Sequence, residues 1–419
     1  MPRNFCNFAA RSNLFSFLPI TPMNFISERV NNLAASATIA MSQKSAELRA
    51  AGIDVINMSI GEPDFNTPEF IKEAAKKAVD DNYTHYPPVA GYMELRKAVC
   101  AKLKSENGLD YSPEQIVVGN GAKQELCNAL LAVVNPGDEV IIPVPAWVSY
   151  VEMVKLAEGI PVTVYAGVEQ DFKITPKQLE AAITPRSRMI MLNSPSNPTG
   201  SVYTREELAA LAAVLERHPQ VVILADDIYE HINYVGGAPS ISQFESLKDR
   251  MIIVNGVSKA YAMTGWRIGW LAAPTAIAKA VTKLQGQYTS GVSSIAQKAA
   301  EAAYLGPQEC VEDMRKAFER RRDLIVSLAK EIPGWIVSKP EGAFYIFPEV
   351  SSYIGKKYGD KEIRTSGDYV MYLLEEGHVA AVDGDAFCAP GYLRLSYATS
   401  EENIREAMRR ISEASAKLK

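Results

Sequence analysis

Short apolar runs recur through the middle of the chain and alternate with helical patterns. Such runs are typical of buried β-strands when they are short, rich in Val and Ile, and bounded by polar or turn-forming residues. The predicted strands are residues 115–118, 139–142, 161–165, 188–192, 221–224 and 251–254. Strands that alternate with helices favour a mainly parallel sheet covered on both faces. The sequence therefore predicts an α/β fold whose functional side chains lie at the strand ends.

The pattern changes in the C-terminal third of the chain. Helical periodicity continues from about residue 277 to about residue 328, and short strands are predicted at 342–347, 379–382 and 393–397. This order indicates a smaller α+β unit. We therefore predict a large domain over residues 61–305, a small domain over residues 306–419, and an N-terminal segment, residues 25–60, that belongs to the small domain.

Turn and capping residues predict where several helices begin. Thr67 followed by Pro68 predicts a helix with threonine as N-cap and proline at the first helical position. Residues 399–402, Thr-Ser-Glu-Glu, predict a capping box in which the threonine is the N-cap of the last helix. Residues 119–125 are predicted to be a small-residue turn ahead of a helix over residues 126–134.

The first 24 residues differ from the rest of the chain. They include Arg3 and Arg11, and no acidic residue precedes Glu28. We expect a disordered extension, or an early start codon with Met23 as the natural start. A short organelle-targeting segment is the alternative. The expected location of the protein is therefore the cytoplasm, with organelle import through residues 1–24 as the alternative.

Composition excludes several classes of function. The chain has 419 residues and a net charge of −5, and its charges form no blocks. Neither a nucleic-acid surface nor a polybasic membrane patch is expected, and no apolar run approaches the roughly 18 residues of a membrane helix. The five cysteines form no CxxC pair, which favours a reducing compartment over a disulfide framework. The four histidines show no metal-ligand spacing, so no metal site is expected.

One lysine lies in a setting that favours covalent chemistry. Lys259 stands among small and apolar residues in the stretch 255–269, directly after the predicted strand 251–254. A lysine held out of water has a depressed pKa, and its neutral amine can form a Schiff base with a carbonyl. Arg267, eight residues on, is a planar donor suited to a phosphate. Together they suggest pyridoxal phosphate (PLP); the alternative is a buried lysine in a structural ion pair.

Polar residues follow two of the predicted strands. Asp226 comes at the end of a buried strand, and a buried carboxylate needs a cationic partner. A pyridinium nitrogen would serve, with a helix N-cap as the alternative, and Tyr229 could hydrogen-bond the phenolic oxygen of the same ring. Asn197 lies in a loop, residues 193–200, that two prolines fix in a non-helical conformation, with cis bonds as an option. The alternative for this loop is a rigid surface turn.

Three further positions each have a functional and a structural interpretation. Gly121 and Ala122 lie between a strand and a helix, where backbone N–H groups bind anions, or they form a simple connecting turn. Trp147 could stack on a flat cofactor or pack in the core. Arg394 lies between apolar residues on a predicted strand, where burial requires an anion. A substrate carboxylate or a structural salt bridge would satisfy it.

Together these residues resemble the class I aminotransferases of PLP fold type I. They are most similar to the bacterial-type aspartate aminotransferases that lack the usual side-chain arginine. The resemblance runs from about Ser36 to Ser412 and is carried by the motifs at residues 61–65, 86–91, 193–200, 226–229, 258–259, 263–269, 342–345 and 394–400. It implies a large domain with a mainly parallel central sheet flanked by helices, and a smaller α+β domain.

The resemblance also implies how PLP is bound. Lys259 is expected to form the Schiff base with PLP and then to move the substrate's proton, and Asp226 to pair with the pyridine nitrogen. Asn197 and Tyr229 are expected to bond the phenolic oxygen, and Trp147 to stack on the ring. The implied catalytic residues are Lys259, Asp226 and Tyr229. The residues implied at the phosphate are Gly121, Ala122, Ser258, Arg267 and, from a second subunit, Tyr86.

The implied substrates are an amino acid and a 2-oxo acid. Arg394, with Asn197 and the backbone of Gly61, is expected to hold the α-carboxylate, and Lys123 to neutralise the distal carboxylate. The remaining residues implied at the substrate are Thr38 and Trp147. The expected reaction moves an amino group between L-aspartate or glutamate and 2-oxoglutarate or oxaloacetate. The resemblance implies a homodimer with shared active sites.

The sequence departs from this family pattern at three positions. Ala122 replaces a usual glycine, Ala146 replaces a usual aromatic residue, and Ala34 replaces a usual lysine near the substrate's distal end. The last change leaves aromatic or prephenate-like substrates as an alternative to aspartate. A PLP-dependent β-lyase or decarboxylase would have the same fold and a different reaction. A PLP-fold regulator would bind without turnover.

Overall fold

The structure is a computed structural model that describes residues 25–237 and 239–419. The predictions for residues 1–24 lie outside the described residues. The strands in chain order are β1 (Ile56–Asn57), β2 (Ile116–Gly119), β3 (Glu139–Val144), β4 (Ile160–Tyr165), β5 (Ser187–Asn193), β6 (Val222–Asp226), β7 (Met251–Gly256), β8 (Gly269–Ala272), β9 (Tyr345–Ile346), β10 (Lys357–Tyr358), β11 (Lys361–Glu362), β12 (Val379–Ala380), β13 (Val382–Asp383) and β14 (Leu393–Ser396).

Helices occupy most of the intervening chain. In chain order they are α1 (Glu28–Asn31), α2 (Ala37–Ala50), α3 (Glu69–Asp80), α4 (Met93–Asn107), α5 (Ala122–Val133), α6 (Ser149–Leu156), α7 (Pro176–Ala182), α8 (Arg205–Glu216), α9 (Thr275–Tyr288), α10 (Ser294–Leu305), α11 (Glu309–Lys330), α12 (Ser366–Glu376) and α13 (Glu401–Ala416). Among the described residues, none of these helices is long and apolar enough to cross a membrane.

The central sheet has seven strands in the order β2-β8-β7-β6-β5-β3-β4. The pairs β3–β4, β3–β5, β5–β6 and β6–β7 are parallel, whereas β8 is antiparallel to both of its neighbours. The predicted α/β fold with a mostly parallel sheet is confirmed. Strand β8 is missing from the predicted strands, because it is short, begins with glycine and follows directly on the Lys259 stretch.

Alternate residues of the inner strands pack on opposite faces of this sheet. In β7, Ile253 joins the apolar cluster formed with α3, α4, α8 and α10, whereas Ile252 and Val254 join the cluster formed with α5 and α9. This alternation follows from the two-residue period of a strand. Both faces are therefore covered, and solvent reaches the inner strands only at their ends.

The N-terminal segment pairs with the C-terminal part of the chain. Strand β1 lies parallel to β12, with Ile56 opposite Val379. A second small sheet has the order β13-β14-β9, and all its pairs are antiparallel. This pairing agrees with assigning residues 25–60 to the small domain, although the domain boundaries at residues 60 and 305 stay a prediction.

Three predicted helix starts are wrong by one to four residues. Pro68, not Thr67, is the N-cap of α3, because the Thr67 hydroxyl donates instead to the Ala262 carbonyl at 2.7 Å. The N-cap of α13 is Ser400, whose Oγ accepts from the backbone of Asn403 at 3.2 Å, so residues 399–402 are not a capping box. Helix α5 begins at Ala122, which makes the turn before it shorter than predicted.

Candidate active site

A cavity of about 270 Å³ opens at the carboxyl ends of the parallel strands. Of the residues that the sequence predicted for a site, all but two line this cavity. The exceptions are Gly121, which is the N-cap of the adjacent α5, and Tyr86, which is 96% exposed. The site therefore collects side chains from segments between residue 36 and residue 394 of the chain.

Lys259 lies in the loop after β7, with its ammonium group inside the cavity. Its Nζ donates a hydrogen bond to the Gly61 carbonyl oxygen at 2.6 Å and lies 5.9 Å from the ring centroids of Tyr229 and Phe344. Burial lowers the pKa of Lys259 to about 8. About a tenth of this amine is therefore neutral and nucleophilic at pH 7, far more than for a lysine with an ordinary pKa.

Asp226 is the last residue of β6, and it is 3% exposed. Burial raises its pKa to about 6, while hydrogen bonds to the carboxylate limit this rise. The Tyr150 hydroxyl donates to Oδ2 at 2.5 Å, and the backbone N–H of Ile228 donates to Oδ1 at 3.3 Å. The group is therefore mostly charged at neutral pH, and it offers a buried negative charge to a cationic ring.

Asn197 lies in the loop after β5, where the bonds Ser194–Pro195 and Asn197–Pro198 are both cis. The side chain of Asn193 fixes this loop. Its Oδ1 accepts from the Asn197 backbone at 2.8 Å, and its Nδ2 donates to the Asp226 carbonyl at 2.8 Å. Tyr229 is also buried, and its hydroxyl lies 2.8 Å from the hydroxyl of Tyr345. Amide and phenol groups therefore converge on the side of the cavity next to Asp226.

Arg394 lies on β14 and is 1% exposed. One of its terminal nitrogens donates to Asn197 Oδ1 at 2.9 Å, and the other donates to the Ser59 carbonyl at 2.7 Å. Its Nε has no hydrogen-bond partner, and no carboxylate of the described residues forms a salt bridge with it. A buried guanidinium without an acidic partner is costly, so this side of the cavity is suited to an anion.

A second anion-binding surface lies at the N-terminus of α5. Gly121 has a φ of +84°, and a Cβ atom there would lie 2.3 Å from a terminal nitrogen of Arg267. A Cβ atom on Gly269 would lie 2.1 Å from the Ala122 nitrogen, so both glycines permit a close approach of backbone and guanidinium. Ser258 lines the same side. Backbone N–H groups, the helix dipole and an arginine together form a phosphate-binding arrangement.

Lys123 brings a third cation to the cavity. Its Nζ lies 4.7 Å from the centroid of the Trp147 ring, and no salt bridge to it occurs among the described residues. Burial, and then the charge of Arg267, lower the pKa of Lys123. Thr38 of α2 also lines the cavity. The site therefore has cations on more than one side and a buried carboxylate at Asp226.

Sequence reasoning assigned no role to several residues that line the cavity, among them Asn193, Tyr150 and Tyr345. Asn193 and Tyr345 each lie inside a motif that the sequence singled out, at residues 193–200 and 342–345. Tyr150 follows Trp147 by three residues, a spacing that places both on one side of a helical turn. That spacing could have indicated that Tyr150 lies near the site. No sequence pattern showed that its hydroxyl contacts Asp226.

An acidic cluster lies outside the cavity. Carboxylate and imidazole atoms of Glu106, Glu230 and His231 come within 4.8 Å of one another. The ammonium group of Lys102 already lies between the two acids, because it pairs with Glu230 and approaches Glu106 at 3.4 Å. This charge holds the pKa of Glu230 low, at about 2. The cluster therefore contains a buried ion pair between Lys102 and Glu230, with Glu106 at the surface beside it.

Comparison with known proteins agrees with this geometry. Residues 53–411 match the family model described as aminotransferase class I and II. An aspartate/prephenate aminotransferase from Cereibacter sphaeroides is 53% identical over 93% of this chain and 98% of its own length. The crystal structure of the aspartate aminotransferase from Rhizobium meliloti has a TM-score of 0.91 at 44% identity, and it covers 94% of this chain and 99% of its own.

A second solved structure is similar over the same extent. The aspartate aminotransferase from Thermus thermophilus with maleate has a TM-score of 0.88 at 41% identity, covering 94% of this chain and 100% of its own. The family match includes the elements from β2 to β14 that line the cavity, whereas Thr38 of α2 lies before the matched residues. With a buried lysine facing a buried aspartate and a helix N-terminus suited to phosphate, the chain belongs to the class I and II aminotransferase family.

Proposed function

We propose that this protein is a PLP-dependent aminotransferase that moves the amino group between L-aspartate or glutamate and 2-oxoglutarate or oxaloacetate. One observation carries the choice of substrate. Apart from Arg267 at the phosphate-binding end, the cavity holds two cations, Arg394 and Lys123, that form no salt bridge with any described residue, and it also holds the amine of Lys259. An amino-dicarboxylate would supply an anion to each cation and a primary amine near Lys259.

The residues present fit PLP. The N-terminus of α5, with Gly121, Ala122, Ser258 and Arg267, would hold its phosphate, and Asp226 would pair with its ring nitrogen. Asn197 and Tyr229 would bond its phenolic oxygen, and Trp147 would lie against the ring. When bound, PLP supplies an electron sink for the bond that breaks at the substrate's Cα. The protein's task is to orient that bond and to move its proton.

Lys259 would carry out both the attachment and the proton transfer. Its pKa of about 8 leaves it neutral often enough to attack an aldehyde and to accept a proton from Cα. The Gly61 carbonyl, which accepts a hydrogen bond from its Nζ, holds the amine inside the cavity. Asp226 stays charged opposite it and would keep the ring nitrogen protonated.

Arg394 and Lys123 would bind the two ends of the substrate differently. Arg394 is fixed by Asn197 and the Ser59 carbonyl, so its planar donors have one orientation and suit the α-carboxylate of every amino acid. Lys123 rests on the Trp147 ring and offers a single point charge for a distal carboxylate. Discrimination in favour of acidic substrates would therefore depend on Lys123.

The names of the relatives support this assignment and one alternative. The structure with maleate contains a dicarboxylate, which agrees with two cationic subsites. The Cereibacter relative is named for both aspartate and prephenate, so we keep prephenate or an aromatic amino acid as the second candidate. The alanine at position 34, close to Thr38 in the chain, favours a roomier distal end.

Exchanging each cation should separate the two subsites. We expect Arg394→Lys to lower kcat/KM roughly 10- to 100-fold for aspartate and phenylalanine alike, because a lysine lacks the planar donor pair. Lys123→Met keeps the side-chain length but removes the charge. It should lower kcat/KM for aspartate by a similar factor and change the value for phenylalanine less than about threefold.

Steady-state kinetics of both variants with both amino acids is the measurement. Lys123→Arg is the matched control, because it restores a positive charge and should recover part of the aspartate activity. An equal loss for both substrates in Lys123→Met would make Lys123 a cofactor or structural residue. Failure of the unmodified protein to form a keto acid from any amino acid would favour the non-catalytic regulator.

We further propose that the protein is a cytoplasmic homodimer with shared active sites. Tyr86 supports the sharing, because it is 96% exposed and lies outside the cavity of its own chain. The described cysteines, which are free, support a reducing compartment. Mixing Lys259→Ala chains with Tyr86→Phe chains should then restore activity, because each hybrid dimer gains one site with both residues intact.

The hybrid experiment is read as activity against the mixing ratio. Each variant alone should be weakly active, and the gain should be largest near equal proportions. Exchange of subunits is verified with one tagged chain. No gain despite verified exchange would contradict sharing.

A further inference from the structure

Tyr150 joins Asp226 to the wall of the cavity. We propose that Tyr150 is a positioning residue that keeps the Asp226 carboxylate charged and aimed at the ring nitrogen of the bound cofactor. The inference rests on the proposed function, because it concerns the group that would hold PLP. It depends on one hydrogen bond, from the Tyr150 hydroxyl to Asp226 Oδ2 at 2.5 Å.

The position of Tyr150 is set by the first turn of α6. The ring is 2% exposed, and it packs edge-on against Trp147, with 5.6 Å between centroids and 89° between planes. The hydroxyl therefore has a fixed direction, toward the end of β6. The other carboxylate oxygen of Asp226 accepts only the longer bond from the Ile228 backbone, at 3.3 Å. The tyrosine is the closer of the two donors to this carboxylate.

The direction of the hydrogen bond decides its effect. Burial, and then the charge of Asp226, hold the pKa of Tyr150 well above its usual range, so its hydroxyl stays protonated and acts as a donor. A donor stabilises the charged form of a carboxylate. Burial alone acts in the opposite sense and would make Asp226 a neutral acid more often. Burial raises the pKa of Asp226, and the hydrogen bond from Tyr150 limits this rise without adding a second charge.

The Lys259 ammonium does not replace this donor, because it forms no salt bridge with Asp226 among the residues that the structure describes. The carboxylate of Asp227, the next residue, is bound elsewhere, because it accepts from the Ser240 hydroxyl at 2.9 and 3.1 Å. The charged groups that face Asp226 from the packed elements are therefore few. Loss of the tyrosine hydroxyl should therefore raise the pKa of Asp226 and weaken its pairing with the ring nitrogen.

Tyr150→Phe removes this hydroxyl and keeps the ring against Trp147. We expect the Kd of the apoprotein for PLP at pH 7 to rise roughly 10-fold, because a hydrogen bond to a charged group is lost. As pH falls, protonation of Asp226 weakens binding of a pyridinium. This acidic limb of the Kd profile should move to higher pH by about one unit. A purely structural role would not move that limb.

The matched control is Tyr353→Phe. Tyr353 is buried, its hydroxyl donates to the Pro333 carbonyl at 2.6 Å, and neither residue lines the cavity. Its loss should leave both the Kd and the acidic limb unchanged. A shift of the limb in this control would mean that general loosening moves it, and the proposal would be overturned.

A double-substitution cycle tests whether Tyr150 acts through the charge of Asp226. In Asp226→Asn, adding Tyr150→Phe should change the Kd less than about threefold, because no carboxylate remains to be stabilised. A further 10-fold loss would overturn the proposal, and so would an unshifted limb in the single Tyr150→Phe variant. If the unmodified protein does not bind PLP, the proposed function itself fails, which is a different result from a normal Kd in Tyr150→Phe.

Discussion

Replacing Lys259 by alanine is expected to lower kcat for every amino-acid substrate by on the order of 10³-fold. It should also abolish covalent attachment of the cofactor. The expectation follows from two features of this lysine. Burial lowers its pKa to about 8, and its Nζ lies inside the cavity on the Gly61 carbonyl. The other lysine of the cavity, Lys123, differs in position, because its Nζ lies over the Trp147 ring at 4.7 Å from the ring centroid.

Borohydride reduction followed by peptide mapping measures the attachment. The cofactor should be found on Lys259 in the unmodified protein and on no residue of Lys259→Ala. Lys123→Met is the matched control, since it removes the other lysine of the cavity and should leave the attachment at Lys259 intact. Attachment at Lys123, or unchanged turnover in Lys259→Ala, would refute the role given to Lys259.

Much of the site could be predicted because its residues follow predicted strands. Lys259 comes after β7 and Asp226 ends β6, while Asn197 comes after β5. These strands are parallel neighbours, so their carboxyl ends meet at one edge of the sheet. Arg394 was singled out by its apolar neighbours on a predicted strand, but only the family resemblance assigned it to this site. Strand order brings together residues of adjacent strands but does not place a separate small sheet.

What sequence reasoning missed depends on side-chain direction. Three residues show this: Tyr150, Tyr345 and Glu125. Each lies near a residue that was singled out, but the neighbouring sequence does not tell whether its side chain lies at the surface or in the core. Only the packing of α6 on the sheet directs the Tyr150 hydroxyl to Asp226. Likewise, Thr67 fits the pattern of an N-cap, but a tertiary partner, the Ala262 carbonyl, takes its hydroxyl. Tertiary contacts decided both cases, and a local pattern carries no information about them.

The burial of Glu125 was likewise not predictable from local sequence. It should have a large effect on the free energy of unfolding. The sequence predicts it as part of a turn, but α5 begins at Ala122, so this carboxyl lies one turn into the helix and is fully buried. It occupies the space left by Gly119, where a Cβ atom would lie 2.0 Å from its Oε1. Neither carboxyl oxygen has a hydrogen-bond partner within the part of the chain that the structure describes. Burial therefore raises the pKa of Glu125 to about 8.

This raised pKa makes the stability of the protein depend on pH. Below pH 4.5 the carboxyl is protonated in both the folded and the unfolded chain, so its contribution is fully present. Between pH 4.5 and 8 the unfolded chain loses the proton while the folded chain keeps it, and the free energy of unfolding falls. Above pH 8 the fall is complete. The loss is on the order of 5 kcal/mol, because each unit of pKa difference contributes about 1.4 kcal/mol.

Glu125→Gln removes the ionisation and keeps the shape of the side chain. We expect the variant and the unmodified protein to have similar free energies of unfolding at pH 5. At pH 8.5 the variant should be more stable by roughly 4 to 5 kcal/mol, because a glutamine buries no charge at any pH. Urea unfolding of the cofactor-loaded protein at both pH values measures the difference, with the same cofactor concentration throughout.

Glu94→Gln provides the comparison that isolates burial. Glu94 is an exposed acid in the first turn of α4, so its replacement removes one carboxyl without emptying a buried position. Its effect on the free energy of unfolding should be small and nearly equal at pH 5 and pH 8.5. If Glu125→Gln behaves in the same way, Glu125 is ionised in the folded protein. Its carboxylate must then have a partner that the Gly119 side of α5 does not provide.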